Sequence, residues 1–406
     1  MTTEPAPVEA VLRLTLIPGL GPVRIARLIE TLGSADAVLH ASETALTRAR
    51  GVGAGLARTV VAEREASADR VARELDLAHE LGVEFLALGA PGYPPLLASI
   101  PNPPPILSMR GSLDPDADRY PVAVVGSRAA TAYGIEQAER FAGMLASSGL
   151  TVVSGGARGI DTAGHRAALR IGGRTIAVLG CGLAHTYPPE NRALFDEIAA
   201  GHGAVLSELP LQTNPAAENF PMRNRIISGL SLGVLVVEAA AGSGALITAR
   251  LAAEEHGREV TAIPGRIDSP ASEGVNDLLK KGGAALVTDP ADVIEQLEAP
   301  ARHLHAGVHA DRYADPIQPP SIFDGITQDA DSHADSHADA GAGVATANLS
   351  DAQRIIVRSL VEPMAMDELA RRTGMDAAAL RSEVTMLEIR RLVQRVGPVV
   401  QRRSRA

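Results

Sequence analysis

The sequence predicts an α/β protein built on an extended Rossmann-like, doubly wound sheet, and three observations carry that reading. Short, mostly apolar runs such as 122–125 (VAVV) and 150–153 (LTVV) are too brief for helices and lack the alternation of a half-exposed strand, so they suit strands buried on both faces. Each run stops at a Gly/Ser cluster, Gly126-Ser127-Arg128 in the first case and Ser154-Gly155-Gly156 in the second. A helical pattern then leads to the next run, and this alternation continues regularly from 121 to 287.

Within that span, strands are expected at 122–125, 151–153, 175–179, 204–207, 234–237, 259–262 and 285–287, with helices at 134–148, 162–171, 190–200, 222–230, 245–256 and 275–281. Before it, residues 8–60 read as helical. Pro18-Gly19-Leu20-Gly21 and Gly51-Val52-Gly53 each form a glycine turn ahead of a helix, which resembles the helix-hairpin-helix motif and equally suits a small helical bundle. A charged amphipathic helix follows at 63–82, then short strands at 83–88 and 106–110 on either side of a Pro-rich connector. Residues 300–347 change character: Pro316, Pro319 and Pro320 precede a repeated Asp-Ser-His-Ala tract, the composition of a solvated tether. Ser350-Asp-Ala-Gln353 is a capping box, and 380–387 follows a turn at Thr373-Gly374 like a recognition helix. Segments around Gly397-Pro398 fit the hairpin of a wing, so the C-terminal part is expected to be a winged helix. The expected division is a helix-hairpin-helix-like domain at 1–75, the extended Rossmann-like domain at 76–298, a linker at 299–348 and a winged-helix-like domain at 349–406.

The 406 residues carry a formal net charge of −10, which argues against a uniformly basic nucleic-acid coat and leaves room for a focused basic pocket. Lys280 and Lys281 are the only lysines, so phosphate contacts would fall mostly to bidentate arginine forks. Aromatic residues are 2% with no Trp, so any base-stacking surface is sparse. The single Cys181 excludes an intrachain disulfide framework and fits a reducing compartment. With no basic n-region and apolar h-region at the start, and no apolar run of membrane-spanning length, a cytoplasmic protein without membrane association is expected.

Several nucleotide chemistries lack their signatures. There is no G-x-x-x-x-G-K-[ST] loop, and the first strand is followed by Gly126-Ser-Arg-Ala-Ala-Thr rather than G-x-G-x-x-G, so no nucleotide cofactor is expected. Metal-ligand spacing around Cys181 and a paired-carboxylate setting are also lacking, so neither a catalytic residue nor a metal is expected. The polar residues at strand ends are donors instead. Ser127 and Arg128 follow the first strand, and Gly155, Gly156 and Arg158 follow the second. Phe220, Arg223, Asn224 and Arg225 come after the fourth, while Ser243 and Gly244 open a helix after the fifth. One such cluster suits a mononucleotide; a row of them along a sheet edge suits successive phosphates of a strand. Structural roles compete with this reading: Arg128 could pair with Glu238 or Asp161, Asp161 could fix its own loop, His165 could be a packed histidine, and Phe220 could belong to the core.

The ordered stretches VVGSR, SGGARGID, GRTIAVLGCG, YPPEN, FPMRNRIISG, SGALITAR and GREVTAIPG resemble the DprA/Smf DNA-processing family nearly without gap over 80–290. The resemblance implies a non-enzymatic single-stranded DNA-binding protein of natural transformation. It would load the RecA recombinase on incoming strands and form a homodimer through the Rossmann-like domain. Carried over by motif position, Ser127, Arg128, Gly155, Gly156, Arg158, Arg223, Asn224 and Arg225 are the implied DNA-pocket residues. Phe220 is placed to stack on a base. The chain departs from the family pattern at Gly156, Cys181 and His185. The alternative is a nucleotide-processing hydrolase of the lysine-decarboxylase-like Rossmann type. Against it, 242–248 lacks that family's trailing Glu, and Glu238 precedes the glycines.

Overall fold

Strand β3 (Pro121–Val125) is buried at every position because both of its faces are covered, as its unbroken apolar run requires. A computed structural model describes the chain over residues 8–298 and, further on, 351–360, 364–375, 380, 384, 387, 393–396 and 399–402. Among these, nine strands form one sheet: β1 (Glu84–Ala87), β2 (Ile106–Gly111), β3, β4 (Thr151–Ser154), β5 (Thr175–Val178), β6 (Gly203–Ser207), β7 (Gly233–Val236), β8 (Glu259–Ala262) and β9 (Ala285–Leu286). Their order is β1-β2-β6-β5-β4-β3-β7-β8-β9. From β6 to β9 all neighbours are parallel, whereas β2 runs antiparallel to both β1 and β6. The chain winds from β3 outward to β6, then returns to the other side of β3 with β7. The sheet therefore changes winding direction between β3 and β7, where such sheets open a crevice at their carboxyl ends.

Five helices precede β1, namely α1 (Val8–Thr15), α2 (Pro22–Leu32), α3 (Ala35–His40), α4 (Glu43–Leu46) and α5 (Ala54–Leu81), and between the strands follow α6 (Pro95–Ala98), α7 (Ala132–Ser147), α8 (Ile160–Arg170), α9 (Arg192–Glu197), α10 (Asn219–Gly229), α11 (Gly244–Arg250) and α12 (Glu273–Lys280). Side-chain caps open several of them: Thr131 caps α7 and Ser243 caps α11 beside the crevice, and Ser34 caps α3 in the N-terminal helices. The main core gathers Leu107, Val125, Val153, Val178, Leu206 and Val236 from the strands with Ile226 and Ile227 of α10.

The chain divides into two compact units, Met1–Pro319 and Pro320–Ala406. In the first, α5 runs through the expected boundary at 75/76 and ends only where Gly82 adopts the left-handed conformation. The N-terminal helices share their core with the sheet: Ala87 of β1 and Ile106 of β2 pack among Leu14, Leu28, Leu46 and Val71. Glu74, buried in α5, accepts the Leu211 backbone N–H. In the second unit, Met364–Ala365, Val399–Arg402 and Val393–Val396 form a three-stranded antiparallel sheet in that order, beside helices Asp351–Ser359 and Met366–Thr373. Ile356, Leu360, Leu369, Leu380, Val384, Leu387 and Val400 make its core. The expected linker at 299–348 and the Ser350 capping position lie outside the described residues.

Candidate nucleic-acid interface

At the crevice, the sequence places a glycine after β3 because its neighbours leave no room for a side chain. A Cβ on Gly126 would come within 2.5 Å of Ile160 and 2.9 Å of the Glu238 carbonyl. That carbonyl accepts the Ser127 N–H at 2.8 Å, stitching the ends of β3 and β7 together. The Glu238 carboxylate accepts the Thr131 N–H at 2.8 Å and the Thr131 hydroxyl at 2.6 Å, holding the first turn of α7. Both expected pairings of Arg128 are thereby excluded: Glu238 is engaged with Thr131, and among the described residues Arg128 makes neither an ion pair nor a hydrogen bond. Its guanidinium lies 4.6 Å from the Phe220 ring centroid instead.

The crevice is a cavity of about 770 Å³. Its β3 side is formed by Gly126, Ser127, Arg128 and Ala129, and its β7 side by 240–245 with Ile247 and Thr248. Pro215, Ala216, Ala217, Phe220 and Tyr187 form the outer wall, with Arg223 and Asn224 beneath. Tyr187 and Phe220 sit with ring centroids 5.5 Å apart at 37°. Asp161 is the one carboxylate among the lining residues.

Three consecutive polar residues of α10 point in three directions. Arg223 is 5% exposed, and its Nη1 donates to the Gly155 carbonyl at 2.6 Å and to the Val178 carbonyl. Its Nε is buried without a hydrogen-bond partner. Burial lowers this guanidinium to about 10, with Asp161 opposing the shift and Arg128 adding to it. Burial likewise raises Asp161, against the pull of Arg223. Asn224 donates its Nδ2 to the Gly244 carbonyl at 3.2 Å, tying α10 to the first turn of α11. Arg225 turns away to an ion pair with Glu208, both partners largely buried.

The structure thus brings Ser127, Arg128, Phe220, Arg223, Asn224, Ser243 and Gly244 to one cavity. Gly155, Gly156, Arg158 and Arg225 do not line it. Gly155 is buried, and a Cβ there would stand 2.5 Å from the Arg223 guanidinium; at Gly156 the same space is filled by the Phe195 ring, 2.7 Å away. These two glycines make room for protein side chains. Arg158 is exposed and forms a bidentate pair with Glu190. Asp161 fixes its own loop by accepting the Gly155 and Ala157 N–H groups at 3.1 and 3.3 Å. His165 is a fully buried packing residue. Thr175 donates its hydroxyl proton to Val152, so His165 Nδ1–H donates to Thr175 at 2.7 Å, and burial lowers its pKa to about 3. Tyr187 and the 215–217 wall carried no strand-end signal. Tyr187 stands in YPPEN, and only folding places it against Phe220. Together the lining offers an exposed cation, two neighbouring tilted rings and short hydroxyl and amide groups, a set that can hold a phosphate beside a base.

Residues 84–298 match the family model described as DNA recombination-mediator protein A, and residues 341–397 match the DprA winged helix domain. Protein Smf of Escherichia coli is 49% identical over 206 residues, 51% of this chain and 54% of its own length. Protein Smf of Synechocystis is 39% identical over 276 residues, 67% of this chain and 68% of its own length. The matched part is thus about half of the Escherichia coli relative. Among solved structures, DNA processing protein A of Streptococcus pneumoniae aligns with a TM-score of 0.62 at 34% identity, over 72% of this chain and 98% of that one.

Proposed function

The chain belongs to the family of DNA recombination-mediator protein A, DprA, and from that premise we propose that it binds single-stranded DNA in the crevice between β3 and β7. The observation that carries this reading is Arg128. It is a guanidinium without a carboxylate partner, held over Phe220 at the mouth of a cavity large enough for a nucleotide. A phosphate would meet Arg128 and the backbone around Ser127, while a base would lie against Phe220 and Tyr187. Arg223 supports the floor, and Ser243 and Gly244 line the side opposite Arg128. Gly155, Gly156, Arg158 and Arg225 join the proposal less directly: the first two shape the floor, and the arginines would engage DNA only by leaving Glu190 and Glu208.

In the same proposal the chain acts without catalytic turnover. It delivers the strand to the RecA recombinase during natural transformation and works as a cytoplasmic homodimer. No helix among the described residues is long and apolar enough to cross a membrane. The division at 75/76, 298/299 and 348/349 is retained as a division of roles rather than of cores, since the N-terminal helices and the sheet pack together. A nucleotide hydrolase would need a free carboxylate near the glycines after β7, and the Glu238 carboxylate is bonded through both oxygens to Thr131.

Fluorescence anisotropy with oligo-dT tests the crevice. Arg128→Ala is expected to weaken binding about tenfold, about 1.4 kcal/mol. The salt slope should fall by about 0.7, the amount expected when one phosphate of a single strand is no longer neutralised. Unchanged affinity and slope would sink Arg128 as a DNA ligand.

A further inference from the structure

Two arginine–glutamate pairs stand near the crevice, and they differ in how easily they come apart. Arg225 and Glu208 keep only 15% and 7% of their side-chain surface exposed, so a break would strand charge inside the fold. Arg158 and Glu190 keep 52% and 51%. Water reaches both partners, and an exposed pair of this kind is only weakly held.

The backbone under the exposed pair is nevertheless fixed. Asn191 is 1% exposed and donates Nδ2 to the Gly156 carbonyl at 3.0 Å and to the Thr162 hydroxyl at 2.7 Å, which binds the turn carrying Glu190 to the loop carrying Arg158. Thr162 in turn donates its hydroxyl to the Ala157 carbonyl at 2.7 Å. Opening the pair therefore needs only side-chain rotation.

The pair also adjoins the crevice. Ala157, next to Arg158, lines the cavity, and so does Tyr187 in the segment leading to Glu190. The Tyr187 hydroxyl lies within hydrogen-bonding reach of the Arg158 guanidinium, and the two groups, Glu190 first, hold that guanidinium above its ordinary pKa. One guanidinium thus adjoins each ring of the crevice, Arg128 over Phe220 and Arg158 beside the Tyr187 hydroxyl. A nucleotide within a strand carries a phosphate on either side, so a base resting on the two rings brings two phosphates towards the two arginines. Arg128 is open to one of them. At Arg158 the place is filled by Glu190, whose two oxygens accept from Nε and Nη2 in the fork geometry by which a guanidinium also takes a phosphate.

We propose, on the single-strand reading of the crevice, that Glu190 is a phosphate-mimicking latch that holds Arg158 while the crevice is empty and gives way to the second phosphate of a bound nucleotide. The latch makes the chain hold a strand less tightly than its arginines allow. Glu190 returns to Arg158 as the strand leaves, which favours release.

Anisotropy titrations of the full chain with oligo-dT over a series of salt concentrations test the latch. Two variants are compared with the wild type: Glu190→Gln, which keeps the size of the side chain and removes its charge, and the double variant Glu190→Gln, Arg158→Ala. Glu190→Gln should bind about two- to fivefold more tightly, the range set by an exposed ion pair. Its salt slope should steepen by about 0.7, as one further phosphate is neutralised. The double variant should lose both gains, because the freed guanidinium is their source. Both variants should keep the wild-type Tm within about 2 °C, since only surface side chains change. The proposal is overturned if Glu190→Gln leaves affinity and slope unchanged. It is equally overturned if the double variant binds as tightly and with as steep a slope as Glu190→Gln, which would make Glu190 a source of general repulsion. Either result leaves the crevice reading standing, whereas a wild-type chain that does not bind oligo-dT defeats that reading and the latch with it.

Discussion

The crevice and the N-terminal hairpins are made of the same residue types and use the glycines in opposite ways. At the sheet edge, glycines admit protein: Gly155 leaves space for Arg223, Gly156 for Phe195 and Gly126 for Ile160. The arginines there are mostly bonded inward, Arg223 to two carbonyls, Arg225 to Glu208 and Arg158 to Glu190. Only Arg128 remains available, and it is supported by an aromatic ring. On the hairpins, Gly21, Gly53 and Gly55 face open space, and Arg24 joins the two turns through the Gly19 and Gly51 carbonyls. A glycine in a motif is therefore no evidence of a ligand by itself; packing decides whether protein fills the space it leaves.

The sharpest way to break this contrast is at Arg223. Arg223→Ala would leave the Gly155 and Val178 carbonyls without their donor and remove the charge that favours the ionised Asp161, and is expected to cost about 3–5 kcal/mol in urea unfolding. A loss below about 1 kcal/mol would mean that Arg223 is not part of the frame.

His165 gives a pH signature of the same buried floor. Its folded pKa, about 3, lies below the ordinary 6.5, so below pH 6.5 the unfolded chain takes up a proton that the folded chain refuses. Stability should fall as pH drops from 6.5 towards 3, by up to about 1.4 kcal/mol per unit from this group. In His165→Gln that component is absent, and the stability difference between wild type and variant should shift by about 2.3 kcal/mol between pH 6.5 and about 4.5. Parallel pH profiles would show that His165 titrates normally.

The smallest effect separates the two kinds of glycine. Gly155→Ala forces a methyl to within 2.5 Å of the buried Arg223 guanidinium and should cost about 1–3 kcal/mol. Gly53→Asp meets nothing and should gain a few tenths of a kcal/mol in the same unfolding experiment. Equal losses at both positions would erase the distinction.

Much of this was legible in the sequence where local chemistry and tertiary structure agree. The apolar runs at 122–125 and 234–237 became adjacent parallel strands, and Ser127 and Arg128 stand at the crevice because a strand-end position fixes their place. FPMRNR was less readable. Successive residues on a helix point about 100° apart, so the motif announces three polar side chains and leaves their partners to packing. Only the fold shows that Arg223 turns into the floor, Asn224 towards α11 and Arg225 to Glu208. Tyr187 was invisible for the same reason, since it meets Phe220 from far along the chain. The 28-residue α5 hid the join between helices and sheet, because its Ser67 and Glu74 are buried polar residues in an otherwise charged, surface-like pattern.

That join has a consequence for how copies of this protein coexist. Strand β1 borders the sheet, and its Ala87 is sealed under the N-terminal helical core; at the opposite border β9 is only two residues long. Neither border offers a long ladder of free amides to a neighbour. Copies of the chain at high concentration then run little risk of sheets joining edge to edge into insoluble fibres.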